Sequence, residues 1–176
     1  MRYRRSQSSG STYFFTVNLA DRGSDLLVQQ MDDLRAVLAQ VKRAHPFALV
    51  AMVALPEHLH AIWRLPPDDA DFPIRWSLIK AGFSRRIAKG GRVGVSRGAR
   101  RERGIWQRRY WEHQIRDETD LARHVNYIHY NPVKHGRAKR PVDWPHSTLH
   151  GYIDRGIATP DWGAQLGTEG GNFGER

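Results

Sequence analysis

The sequence predicts a single α+β domain built on an antiparallel sheet with helices packed against it, and three patterns carry that prediction. Short period-two apolar stretches suited to strands interleave with longer segments whose apolar residues recur every three or four positions. Their order is strand, helix, strand, strand, helix, strand, which is the split βαβ arrangement of ferredoxin-like folds. At 176 residues the chain is long enough for one sizeable core and needs no second one.

The first strand is "STYFFTVNL", where Tyr13, Phe15, Val17 and Leu19 alternate with Thr12, Phe14, Thr16 and Asn18. A helix is expected from Ser24, a capping-type residue, with Leu27, Met31, Leu34, Leu38 and Val41 on one face and a stop at Pro46. "FALVAMVA" reads as a buried strand, Pro56-Glu57 as a turn and "HLHAIWRL" as its partner, so residues 47–65 form a hairpin ended by Pro66 and Pro67. A second helix starts near Asp71 with Pro73 in its first turn and carries Trp76, Ile79, Phe83 and Ile87. "RRYWEHQI" is the fourth strand, and "DETDLARHVNYIHYN" a third helix with Asp117, Glu118 and Asp120 at its positive end. The tail after about Trp144 is rich in Gly, Pro and Asp and is expected to be partly loose, with the domain spanning 1–152 and a flexible tail at 153–176.

The formal charge of +10 is concentrated. Residues 85–109 hold ten Lys or Arg, nine of them Arg, against Glu102 alone, a local balance of +9 that leaves about +1 for the rest. Guanidinium groups offer phosphate a planar pair of donors, so a polyphosphate partner is expected, with a solvated basic Gly/Arg loop as the alternative. The absence of cysteine removes disulfides and thiolate chemistry and leaves nitrogen and oxygen as the only metal donors. The longest apolar run, Phe47 to Leu55, falls far short of the roughly 20 residues of a membrane helix. No membrane partner and a cytoplasmic location are therefore expected.

In a strand, residues two apart share a face, so His58 and His60 project together while Leu59, Ala61 and Trp63 point the other way into the core. Two parallel imidazoles can share one metal ion, or can be ordinary half-exposed polar residues. On the third helix, with Leu121 at zero and about 100° per residue, His124, Tyr127 and Asn131 fall near ~300°, ~240° and ~280°, a polar stripe beside the apolar side marked by Val125 and Ile128. Tyr130 lands opposite the core, so Tyr127 is the tyrosine that geometry favours for a site on the sheet; otherwise it is a boundary aromatic and Asn131 a cap before Pro132.

"EHLH" on a strand, "WQRRYWEH", "YIHYNPVKHG" and the early "YFFTVNL" together resemble the HUH single-tyrosine transposases, specifically the REP-associated tyrosine transposase branch, over roughly residues 3–152. The resemblance implies a ferredoxin-like core, a divalent ion, Mg²⁺ or Mn²⁺, on His58 and His60, and Tyr127 as a nucleophile that cuts single-stranded DNA at hairpins of palindromic REP elements. It places the third metal ligand four residues beyond the tyrosine, at Asn131, where Pro132 disfavours helical geometry; His124 is the alternative ligand.

Such chemistry suits these residue types. A cation screens the phosphodiester charge and stabilises the transition state, and neutral imidazoles hold it without cancelling its charge. Free tyrosine, with a pKa of about 10, is only about one part in a thousand phenolate at pH 7, a fraction that nearby positive charge raises. Attack would give a 5′-phosphotyrosine and a free 3′-OH, storing the bond for rejoining. DNA contacts are expected from Arg4, Arg5, Arg85, Arg86, Arg101, Arg108 and Arg109, with Trp106 and Trp111 as base-stacking surfaces. The protein would work as a monomer or homodimer. Two further readings stay open: a non-catalytic hairpin-binding protein, and a zinc hydrolase using the His-x-His pair with a water nucleophile.

Overall fold

The computed structural model describes residues 10–87 and 104–163. Arg4, Arg5 and Arg101, together with most of the basic Gly/Arg segment, lie outside the described residues. The elements run β1 (Thr12–Asn18), α1 (Leu26–Gln29), α2 (Met31–Ala44), β2 (Ala48–Ala54), β3 (His58–Arg64), α3 (Phe72–Arg86), β4 (Trp111–Gln114), α4 (Glu118–Lys134), a 3₁₀ turn (Pro141–Asp143) and α5 (Leu149–Asp154). The four strands form one antiparallel sheet in the order β2-β3-β1-β4. This is the ferredoxin-like arrangement expected from the order of elements.

Both faces of the sheet are covered, which explains why β1 and β3 are buried along nearly their whole length. Tyr13, Phe15 and Val17 of β1 join Leu59, Ala61 and Trp63 of β3 in the larger core, beneath α1, α2 and α3. Trp63 stacks on Trp76 at 4.2 Å, with the Phe47 ring tilted against it at 4.3 Å. Phe14, Ala51, Val53 and Ile62 point to the opposite face and meet Ile128 of α4. Helices α2 and α3 approach closely at Gly82, where a Cβ would lie 2.8 Å from Val37 Cγ1.

Two helices differ from the sequence prediction. The helix expected continuously from Ser24 is broken at Gln30, whose backbone (φ −112°, ψ 35°) separates a single turn from α2; Ser24 Oγ accepts from Leu26 N at 3.2 Å. The third helix does not stop at Asn131. It passes through Pro132 and ends at Lys134, because His135 N donates to the Asn131 carbonyl at 3.0 Å and Gly136, at φ +64°, supplies the left-handed residue that closes the end. Burial of Pro132 offsets the hydrogen bond its ring cannot make. The segment after Trp144 is packed in part, through residues 144–148, while 154–157 are exposed. Trp144 Nε1 donates to the Ala54 carbonyl at 2.9 Å, Ala54 N to His146 O at 2.9 Å and Thr148 N to Met52 O at 2.9 Å, so this segment covers the outer edge of β2.

Arg75 fastens the start of α3 to the turn between α2 and β2. Its guanidinium is buried and uses all five N–H donors: Nε to His45 O (3.1 Å), Nη1 to Asp69 Oδ1 (3.1 Å) and Asp71 O (2.8 Å), and Nη2 to Asp69 Oδ2 (2.6 Å) and Pro46 O (2.8 Å). Removing one partner of such a group leaves acceptors stranded, so Arg75→Ala is expected to lower the unfolding free energy in urea by about 3 kcal/mol. A change under about 0.5 kcal/mol would show that water replaces the guanidinium.

His129 is buried, with Nε2 3.1 Å from Thr148 Oγ1 and its ring edge-on to Tyr152 (4.8 Å) and Trp162 (5.6 Å). Burial pushes its pKa down to about 4. Because the unfolded value is about 6.5, the unfolded chain binds the proton first, and stability falls as pH drops from about 6.5 toward 4. Thermal melts across that range should lose part of this slope in His129→Phe; an unchanged slope would assign it elsewhere.

Candidate active site on the α4 face of the sheet

The register of the two central strands builds the floor of the site. His60 pairs with Thr16 and His58 with Asn18, so all four side chains face α4 in one patch, buried between strands and helix. The two imidazoles meet edge to face with centroids 5.0 Å apart. Each is held by its Nδ1: His58 donates to Glu57 Oε1 at 2.9 Å, and His60 hydrogen-bonds Thr16 Oγ1 at 2.9 Å. These contacts direct the Nε2 atoms away from the strands. His58 Nε2 is buried and has no hydrogen-bond partner among the described residues.

Helix α4 brings the phenol to this pair. The Tyr127 ring stands edge-on to His60 at 5.2 Å and to Phe14 at 6.0 Å. Asn131, one turn further, is fully buried. Lys134, two turns on from Tyr127, places Nζ 4.7 Å over the same ring and donates to its hydroxyl oxygen at 3.1 Å. His135 packs edge-on against His58 at 5.1 Å. The face of α4 turned to the sheet is thus Asp120, His124, Ile128 and Asn131, all buried, whereas Leu121 and Val125 are only half-buried. The buried side thus takes in His124 and Asn131 of the polar stripe together with Ile128, while Tyr127 is half-buried.

Positive charge dominates the surroundings. Burial, reinforced by His58, His135, Lys134 and Arg22, holds the His60 pKa well below the usual histidine range, so its ring is neutral. Burial likewise pushes His135 down to about 4 and depresses the Lys134 ammonium. Arg22 is hydrogen-bonded to the buried Asn18 side chain beside His58. Glu57 is the acidic member of the group, with Arg137 Nη2 3.8 Å from its Oε2. Burial alone would raise the Glu57 carboxyl, but the His58 contact and the backbone keep it below its ordinary value.

The remaining expected residues fall in different places. Arg85, Arg86, Arg108 and Arg109 are exposed, and Arg86 pairs with Asp33 of α2 at 3.2 Å. Trp106 corrects the expectation of a stacking surface: it is 8% exposed, packs edge-on against Phe83 at 5.4 Å and belongs to the larger core. Trp111 is half-buried, edge-on to Phe14 at 5.7 Å and parallel to His113 at 5.9 Å. His124, the alternative ligand, lies with a different group: its Nδ1 is 2.7 Å from the Asp120 carbonyl, and its ring stacks on His113 at 4.7 Å.

Sequence reasoning missed Glu57, Thr16, Lys134, His135 and Arg22. Glu57 is adjacent to His58, and the seven-residue step from Tyr127 to Lys134 returns to almost the same side of a helix, so those two carried a signal. Thr16 and Arg22 become visible only with the strand register.

The chain is 44% identical over 164 residues to the REP-associated tyrosine transposase of Escherichia coli (strain K12), covering 93% of this chain and 92% of the relative. The chain belongs to the REP-associated tyrosine transposases. A Haemophilus influenzae relative is 43% identical over 162 residues, 92% of each chain. The solved structure of a REP-associated tyrosine transposase bound to a REP hairpin superposes with a TM-score of 0.86 at 44% identity, over all of this chain and 98% of that one. No family model matches the sequence. The single sheet with helices packed on it is therefore the transposase fold, and among the described residues no helix is long and apolar enough to cross a membrane.

Proposed function

We propose that this transposase cuts single-stranded DNA at the foot of REP-type hairpins, with Tyr127 as nucleophile and a divalent ion held by His58, His60 and Asn131. The observation that carries the reading is the meeting of the Tyr127 ring with His60 at 5.2 Å, beside a second imidazole whose buried Nε2 has no hydrogen-bond partner among the described residues. Such an orphaned nitrogen is costly unless a ligand takes it up. The donor set, two imidazole nitrogens and one amide oxygen, fits a divalent ion whose charge must remain available.

When bound, Mg²⁺ or Mn²⁺ would supply charge stabilisation to the phosphate in the transition state. The chain's own residues do the rest. Glu57 and Thr16 fix the two imidazoles through Nδ1. Lys134 donates to Tyr127 Oη at 3.1 Å, which favours the phenolate and orients its lone pairs. Oη attacks phosphorus in line, an O–P bond forms, the P–O3′ bond breaks, and the departing 3′ oxygen takes a proton to become a 3′-OH. The 5′-phosphotyrosine conserves the bond for rejoining to another 3′ end. The exposed Arg108 and Arg109 beside β4 hold the backbone, together with Arg85 and Arg86 at the end of α3. The relative solved with a REP hairpin supports the choice of substrate.

A labelled single-stranded hairpin incubated with Mn²⁺ or Mg²⁺ should give a protein-DNA adduct that resists denaturation and disappears in Tyr127→Phe. Retention of the adduct in that variant, with loss in Tyr130→Phe, would move the nucleophile. Activity that survives Tyr127→Phe but is lost in His60→Ala would point to a hydrolytic water. Lys134→Met removes one charged hydrogen bond, about 1.5–3 kcal/mol, so its cleavage rate should fall roughly tenfold to a hundredfold while hairpin affinity changes little. Glu57→Gln should weaken Mn²⁺ binding by about 10–100-fold in calorimetry, as expected when the partner of a ligating histidine is lost; unaltered affinity would remove Glu57 from the site.

A further inference from the structure

A second group of metal-ligating side chains lies at the joint between β4 and the first turns of α4. His113 of β4 and Asp120 and His124 of α4 each offer one ligand atom, and the three atoms lie within 4.8 Å of one another. We infer that this trio binds a divalent transition-metal ion of the Zn²⁺ class, separate from the imidazole pair on β3, and that the ion clamps β4 to the helix carrying Tyr127.

The donor set favours such an ion. Two imidazole nitrogens and one carboxylate oxygen suit Zn²⁺, whereas Mg²⁺ prefers oxygen alone. Three protein donors leave a fourth position for water. The Asp120 carboxylate engages each imidazole through a different oxygen. His113 Nε2 lies 2.8 Å from Asp120 Oδ2, and His124 Nδ1 lies 3.3 Å from Asp120 Oδ1. Adjacent ligands about 2.0–2.1 Å from a tetrahedral Zn²⁺ stand roughly 3.3 Å apart, so the His113 and His124 rings, stacked 4.7 Å apart, turn out of parallel to bring their nitrogen lone pairs onto one ion. On binding, the ion replaces the contacts these imidazoles now make to Asp120.

The surroundings support the same reading. Asp120 Oδ2 accepts from Arg116 N at 3.1 Å and Arg116 Nε at 3.2 Å, the kind of outer contact that orients a ligating carboxylate. The Arg116 side chain is 71% exposed, so its guanidinium can swing away while the backbone N–H stays. Asp120 and His124 are buried, but the His113 side chain is 26% exposed and leaves a path for the ion. Phe14 touches His124 (4.8 Å), His60 (5.5 Å) and Tyr127 (6.0 Å), so a rigid joint here bears directly on the position of the phenol. This site does not depend on the strand histidines, and the two can be removed separately.

Equilibrium dialysis of the full chain against Zn²⁺, with metal content measured by mass spectrometry, tests the inference. His58→Ala/His60→Ala should retain one equivalent, which disappears when His113→Gln or Asp120→Asn is added. Far-UV circular dichroism and hairpin affinity check that each variant is folded, and the half-exposed His113 and the isosteric Asp120→Asn change are chosen to keep it so. Because the Trp111 ring lies parallel to His113, Co²⁺ should quench a part of the tryptophan emission that is missing in Trp111→Phe. The inference is overturned if the double variant binds no Zn²⁺, or if its equivalent survives both His113→Gln and Asp120→Asn. Equal Zn²⁺ content in the native chain and the double variant would instead count against the strand pair alone.

Discussion

The pairing of β1 with β3 is the constraint on which the site rests. With Thr16 opposite His60 and Asn18 opposite His58, four polar side chains are set on the α4 face while Leu59, Ala61 and Trp63 fill the other. A slip of one residue would turn both imidazoles into the aromatic core around Trp63 and Trp76 and bring leucine and alanine to the site. The register is strongly specified because either face is intolerant of the other's residues. Large aromatic rings lock the lower side, and Phe14, Ile62 and Val53 lock the upper.

A buried polar face carries a cost that a purely apolar sheet would avoid. Thr16, Asn18, His58, His60, His124 and Asn131 are all withdrawn from solvent, and most are engaged in pairs that leave one atom directed inward. The neutral His60 ring limits the penalty, since burial holds its pKa well below the usual histidine range. Arg22, Lys134 and Arg137 stand around this patch with Glu57 as the nearby carboxylate. Such a field opposes protonated histidine and suits the approach of a phosphate.

Much of this was legible in the sequence because it depends on period. The order of strands and helices, the hairpin across Pro56 and Glu57, and the shared face of His58 and His60 follow from alternation alone. The helical wheel found the stripe of His124, Tyr127 and Asn131 but took it for the edge of the buried side, since polarity reads as exposure unless partners are known. Trp106 was misjudged for the converse reason: an aromatic among arginines reads as a nucleic-acid surface, yet its backbone bridge to Leu19 turns it into the core beside Phe83. Pro132 suggested an early helix end, and only the closure at Gly136 shows why the helix continues. The contacts of Thr16 with His60 and of His113 with Asp120 join separate elements, which no local pattern encodes.

The central claim is that one cation is shared by groups from β3 and α4. Anomalous diffraction from Mn²⁺ in crystals grown with a single-stranded hairpin addresses it most directly. A peak bonded to Nε2 of both His58 and His60 is expected, with the Tyr127 hydroxyl and a DNA phosphate oxygen close beside it. A hairpin-bound structure with Mn²⁺ elsewhere, or with the Tyr127 hydroxyl turned away from the phosphate, would contradict it.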